Sequence, residues 1–493
     1  MHELLTNFVN GAWSASPSGR TIDNINPADT RQVLGPVTRS TPDDTRAAVE
    51  AAKAAFPAWK AMPAPKRGAI LFEATRLMKE RKAEIAKALT LEEGKTLAES
   101  TGEVQKSINL LEFIAGEARR LNGTTVPSEM PKTFAYTVRS PLGVAGLVTP
   151  WNFPVCIPTW KIAPALVAGN TIVFKPATTT PWTADLVTRV FADAGVPAGV
   201  INLVHGSGRE VGQVIVEHPE VPALSFTGSN DVGCRLYQDG AARLKKVQCE
   251  MGGKNPLIVL GDADVELAAI ATAQGAFGST GQRCTATSRA IVVDSVADAF
   301  VAQVVEAAKK LRVGNGMHDG VDMGPSVDEG QMNTVLKYHA IAKEEGAKLM
   351  CGGGRLTDGD LAHGYFTAPT VYDHVDGKSR LAQEEIFGPV LSVIRVKDWA
   401  EAIDVANSVE YGLTSSVFTK DVTRAMEYVD EVETGMLHVN SPTVGGEAQL
   451  PFGGVKATGV GQREMGQTAI DFFTEWKTVY IDYTGTKRDS KLY

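Results

Sequence analysis

A carboxylate and a thiol stand on two glycine-bearing stretches of this 493-residue chain: Glu250 opens EMGGK and Cys284 closes GSTGQRC. A cysteine acts as a nucleophile only as its thiolate, and a covalent intermediate that water must cleave needs a base close by. Gly252, Gly253 and Gly281 let the backbone approach a ligand or take positive φ, which a purely structural stretch seldom requires twice. The two residues read as nucleophile and base of an active site. Upstream, TPWNFP (149–154) offers Asn152, whose side-chain amide suits an oxyanion that develops in acyl-type chemistry. Alone, an asparagine in a turn beside proline is more often structural. FKPA (174–177) puts Lys175 where a cofactor ribose or phosphate would lie, although in isolation it reads as a surface lysine. FTGSNDVG (226–233) joins a strand, a glycine turn at Gly228 and Ser229, and a helix start whose free amides suit a pyrophosphate. Its spacing is not GxGxxG, so by itself it is balanced against an ordinary strand-to-helix turn.

Elements must hold these residues together. VAGLVTP (144–150), TIVFKPA (171–177), GVINLVHG (199–206) and ALSFTGS (223–229) are short apolar runs that read as buried parallel strands opening into loops. Ligands in open α/β sheets bind at those carboxyl ends. A second alternating region follows Glu250, with NPLIVL (255–260), RAIVVD (289–294) and LSVIRV (391–396), which sets a domain boundary near Gly252. TPDD (41–44) supplies an N-cap and first-turn acids to a helical region reaching Arg81. TFAYTVRS (133–140) and TEWKTVYIDY (474–483) alternate in strand fashion and fit neither domain, so they read as arms that pair with another subunit.

Composition bounds the rest. A chain that is 43% hydrophobic and 22% charged is an ordinary soluble globular protein of two or three domains. The formal charge of -8 argues against a nucleic-acid partner. Five scattered cysteines without a CxxC pair give no zinc spacing and fit a reducing cytoplasm, so no metal is expected. The N-terminus lacks a leader pattern and no run of 18 apolar residues occurs, so neither export nor a membrane span is expected.

Together, TPWNFP, FKPA, FTGS, EMGGK, GQRC, EEIFGPV (384–390) and PFGGVK (451–456) resemble the aldehyde dehydrogenase superfamily in order and spacing, from about Phe8 to about Ile481. The resemblance implies an α/β fold with a Rossmann-like nicotinamide-cofactor domain (1–124 and 142–252) and an α/β catalytic domain (253–452). A small β oligomerisation arm and C-terminal segment would take 125–141 and 453–493, in a homodimer or homotetramer. It makes Cys284 the nucleophile that gives a thiohemiacetal, Asn152 and the Cys284 N–H the oxyanion donors, and Glu250 the base that hydrolyses the thioester. Glu250 also favours a free acid product over acyl transfer to coenzyme A. For the cofactor it implies Trp151, Lys175 on the adenosine ribose, Gly228 and Ser229 near the pyrophosphate, Glu385 on the nicotinamide ribose and Phe387 beside the ring. NAD-preferring members often carry a glutamate three residues after the lysine. Here Thr178 stands there, so NADP is expected to be used, alongside NAD.

The substrate depends on loops. EMGGKNP, GAFGSTGQRCTATSR and GGEAQLPFGGVK most resemble bacterial α-ketoglutaric semialdehyde dehydrogenases, whose product would be 2-oxoglutarate. Arg283 is set to pair with a substrate carboxylate or, equally, to be tied into the catalytic loop. Succinic semialdehyde enzymes often have an arginine six residues before the cysteine, where this chain has Gly278. Trp160, Ile157, Phe452 and Ser441 are candidate tunnel residues or else core. An inactive structural relative would not be expected to keep Cys284, Glu250 and Asn152 together. A cysteine-dependent esterase using a histidine would leave the nucleotide motifs unexplained.

Overall fold

Thr41 starts the first long helix, Pro42–Ala61, in a computed structural model that describes residues 2–485. Its side chain accepts from the Asp44 N–H while Asp44 accepts from the Thr41 N–H, a capping box that satisfies two otherwise orphan donors. Ala64–Glu80, Lys82–Glu93 and Leu97–Glu117 follow as a helical layer.

The apolar runs form two sheets. In the first, strands Ile201–Leu203, Thr171–Lys175, Val144–Val148, Ala223–Thr227 and Lys246–Glu250 lie side by side and parallel. The middle strands are buried along nearly their whole length, as parallel strands covered by helices on both faces must be. Antiparallel strands close both edges, Asn7–Val9 with Ala12–Ser14 at one end and Gly459–Val460 at the other. The chain then crosses, between 250 and 255, into a seven-stranded sheet. There Thr370–Asp373, Val390–Val396, Thr287–Val293, Asn255–Val259, Thr414–Phe418 and Met436–Val439 are parallel in that order, with antiparallel Lys348–Cys351 on one edge. The fold is therefore α/β with two mostly parallel sheets, and Glu250 ends the last parallel strand of the first one just before the crossing.

The two strand-like segments that fit neither domain pair with each other. Thr133–Pro141 and Thr474–Asp482 form a nine-residue antiparallel ladder, with Thr125–Val126 on the far edge. Pairing within the chain bonds one edge of Thr474–Asp482 to Thr133–Pro141. Within 453–493 the arm strand and the rest of the C-terminal segment part company. Gly459–Val460 extends the first sheet and helix Gly466–Phe472 packs on helix Cys156–Ala168, because its buried Ile470 and Phe472 complete that core. Positions 486–493 of that range lie outside the described residues. No described helix is long and apolar enough to cross a membrane.

Candidate active site

The nucleophile loop begins where helix Val265–Phe277 stops at Gly278. Ser279, Thr280 and Gly281 then take φ of +49°, +58° and +67°, three left-handed residues in a row that fold the chain back sharply. A side chain at 281 has no room: its Cβ would lie 2.2 Å from the Gly388 carbonyl oxygen. Asn255 Nδ2 donates to the Cys284 carbonyl at 2.8 Å and anchors the loop's far end. Burial, then the charges of Glu250 and Glu385, push the Cys284 thiol up to about 12, with the Lys106 ammonium acting the other way. The resting group is a thiol waiting for a base.

Asn152 sits in the turn after strand Val144–Val148, buried, with Nδ2 donating to the Gln282 carbonyl at 3.0 Å. That contact places its amide beside the nucleophile loop. The turn is held from beneath by a buried ion pair. Lys95 Nζ donates to Glu103 at 2.7 Å and to the Asn152 carbonyl at 2.6 Å, and the other Glu103 oxygen accepts from the Val155 and Cys156 N–H groups.

Glu250 ends its strand buried against backbone. A Cβ on Gly453 would lie 2.2 Å from Oε1, and Oε2 has no hydrogen-bond partner. Burial, and next the neighbouring Glu464 charge, raise its carboxyl well above the ordinary carboxylate range. Glu464 is itself held by a short contact to Lys161, whose Nζ also donates to Ser225 Oγ at 2.8 Å. Such a carboxyl is suited to take a proton near neutrality. Lys161 and Glu464 lie 303 positions apart, and only the oddity of a lysine in a helix with all 13 positions buried marked one of them.

A cavity of about 280 Å³ opens over Cys284 and Asn152, lined also by Trp151, Ile157, Gly228, Ser229, Glu385 and Phe387. Glu385 accepts from the Gly253 N–H at 3.0 Å and lies under Gly252, where any Cβ would come within 2.1 Å of it. Burial pushes its carboxyl up to about 7. Gln331 donates to the Ile386 and Phe387 carbonyls, holding Phe387 at φ +57°, and the Phe387 ring meets Trp151 edge-on at 5.4 Å. Ser229 precedes helix Asn230–Ala241 and makes no side-chain cap, which leaves the first-turn amides open.

Seven expected residues are not in this cavity's lining: Glu250, Thr178, Lys175, Ser441, Arg283, Trp160 and Phe452. Thr178 lines a second cavity of about 220 Å³ with Arg39, His205 and Ser207. Lys175 lines neither: its Nζ donates to the Pro176 carbonyl at 2.7 Å, and burial lowers it to about 8. Ser441 gives its carbonyl to Ser416 Oγ and is absent from the lining. Arg283 donates to Ser279 Oγ at 3.0 Å and to Glu99 at 3.3 Å. Of the two readings of Arg283, these contacts fit the one tied into the catalytic loop, where left-handed backbone is held by side-chain bonds. Trp160 and Phe452 are both buried and stack at 5.1 Å, one helical turn beyond Ile157.

A family model described as "Aldehyde dehydrogenase family" matches residues 13–479. The chain belongs to the aldehyde dehydrogenase family. It is an oxidoreductase that converts aldehydes to acids with a nicotinamide cofactor. It is 45% identical over 475 residues to the alpha-ketoglutaric semialdehyde dehydrogenase of Bacillus subtilis, covering 96% of this chain and 97% of that one. Identity is 48% over 466 residues, 94% of this chain, to the 2,5-dioxopentanoate dehydrogenase of Saccharolobus solfataricus, of which 96% is covered. Among solved structures, betaine aldehyde dehydrogenase from Staphylococcus aureus in complex with NAD+ superposes with a TM-score of 0.95 at 35% identity, over 98% of this chain and 95% of that one. The glycine turn, open helix start, buried carboxylate and aromatic pair of this aldehyde dehydrogenase fit such a dinucleotide.

Proposed function

We propose that this aldehyde dehydrogenase oxidises α-ketoglutaric semialdehyde to 2-oxoglutarate, with NADP accepted alongside NAD. The observation that carries the chemistry is the meeting of Cys284, the Asn152 amide and the Glu385–Phe387 loop in one cavity, with Glu250 near enough for its charge to act on the thiol.

The Cys284 proton leaves to solvent as the sulfur attacks the aldehyde carbon. The carbonyl electron pair moves to oxygen beside the Asn152 amide and the Cys284 N–H. A nicotinamide held between Glu385, Phe387 and Trp151 would supply the acceptor for the hydride that leaves the carbon. What remains on Cys284 is a thioester. Glu250 then removes a proton from water, whose oxygen attacks the acyl carbon, and the C–S bond breaks to release the acid and the thiolate. Lys161 and Glu464 set the charge next to Glu250 and so tune that base.

Thr178 supports NADP. It brings no negative charge to a cavity that also holds Arg39 and Ser207, whereas a glutamate there would face the 2′-phosphate. The substrate rests on the names of the relatives and on the loop motifs. The working form is a cytoplasmic homodimer or homotetramer built on the arm. A panel of kcat/KM values tests the proposal, with α-ketoglutaric and succinic semialdehydes, pentanal and benzaldehyde against both cofactors. α-Ketoglutaric semialdehyde should lead, and Thr178→Glu should raise KM for NADP about tenfold or more while sparing NAD. A wild type that favours uncharged aldehydes overturns the substrate, and an unmoved cofactor ratio overturns the role of Thr178.

A further inference from the structure

With Arg283 committed to Glu99, the distal carboxylate of such a substrate lacks a partner among the residues first considered. The aromatic pair beyond Ile157 carries another cation. Lys106 lies on helix Leu97–Glu117, half-buried, with Nζ 5.8 Å from the Trp160 ring centroid and 5.9 Å from that of Phe452. Both distances are within the range at which an aromatic face attracts an ammonium. Loop backbone closes the third side: a Cβ on Gly446 would lie 3.6 Å from the Lys106 ammonium and 3.5 Å from the Phe452 ring. Among the described residues this ammonium has no ion pair and no hydrogen bond. The nearest acid on its own helix, Glu103, is fully used by Lys95 and the Val155 and Cys156 amides.

The place of Lys106 matters as much as its freedom. Ile157 lines the cavity with Cys284, Trp160 follows one turn later, and Trp160 stacks on Phe452. Cys284 packs against the same apolar cluster. The charge of Lys106 reaches the thiol, since it is one of the influences on Cys284. From the cavity at Cys284 and Ile157, the apolar side chains of Trp160 and Phe452 follow in succession and end at an unpaired cation on two aromatic faces.

We infer that Lys106 receives the distal carboxylate of an ω-oxo acid substrate, and so is the residue that selects charged over uncharged aldehydes. This rests on the reaction proposed above. These side chains hold the methylene chain, and the ammonium donates to the carboxylate. No covalent step is involved.

The test is steady-state kinetics of the intact enzyme with α-ketoglutaric semialdehyde and with pentanal, a five-carbon aldehyde without the acid. In Lys106→Met, which keeps a similar apolar stem, the ratio of kcat/KM for the semialdehyde over pentanal should fall about 10- to 100-fold, the strength of one charge-assisted hydrogen bond. The loss should appear in KM rather than kcat. Lys106→Arg should keep most of the ratio. Glutarate, a dicarboxylate with no aldehyde, should inhibit the wild type and lose at least tenfold in Ki against Lys106→Met. Equal losses for both aldehydes would overturn the inference, because Lys106 would then only shape its surroundings. A preserved ratio in Lys106→Met, beside a wild type that prefers the semialdehyde, sinks Lys106 alone. A wild type with no preference for acid-bearing aldehydes removes the proposed substrate as well, while turnover of pentanal through Cys284 leaves the oxidation chemistry standing.

Discussion

At the level of single residues, burial disfavours the charged forms of both the thiol and the base. Cys284 is pushed up to about 12 and Glu250 is raised above the carboxylate range. Thioester hydrolysis needs Glu250 ionised, so its rate should climb as pH rises through that raised value and fall away below it, in a window above the ordinary pKa of about 4.3. Glu250→Gln should give one burst of reduced cofactor per active site, then stall, and its burst should not follow that profile. Cys284→Ala should bind cofactor and give no burst at all. Stopped-flow absorbance decides both, and full steady-state turnover in either variant would discard the assignment. Cys284, Glu250 and Asn152 were legible because each stands in a short stretch of glycine or turn residues that a structural segment has little use for. For Arg283 the loop-bound reading was one of two, but its acidic partner was not legible, since it lies 184 positions away. Lys106 carried no local signal either: a lysine on an amphipathic helix reads as solvated until the aromatic rings of 160 and 452 are seen beneath it.

Elements were more readable than their supports. Runs such as 171–177 and 223–229 announce buried parallel strands by being apolar throughout, and strands Thr171–Lys175 and Ala223–Thr227 appear where expected. The turn that carries Asn152 depends on something the runs do not show, the Lys95–Glu103 pair beneath it. Removing one member of a buried pair leaves the other charge stranded. Lys95→Met should therefore cost about 3–5 kcal/mol, read as a lowered midpoint in urea unfolding. It should also lower kcat by loosening Asn152 against Gln282, while a change of stability alone would show the turn to be self-supporting.

For the whole molecule, the arm presents apolar side chains on both faces, Trp476 and Tyr480 on one and Phe134, Val138 and Ile481 on the other. Exposed patches of this kind mark association surfaces. Tyr480→Lys combined with Ile481→Lys should shift the mass measured by light scattering towards the monomer, and an unchanged mass would place the subunit contact elsewhere. The alternation of both arm segments was visible in the sequence, but their pairing with each other was not, because 133–141 and 474–482 are joined only by the folding of everything between them. The bare seam where Gly281 lies against Gly388 has one more consequence. It contains no side chain to vary, so the thiol loop and the Glu385 loop are inherited as a unit or lost as one. The run of Trp160, Phe452 and Lys106 is all side chain and stands free of that seam. Descendants of this gene are thus at liberty to change diet there while keeping the same teeth.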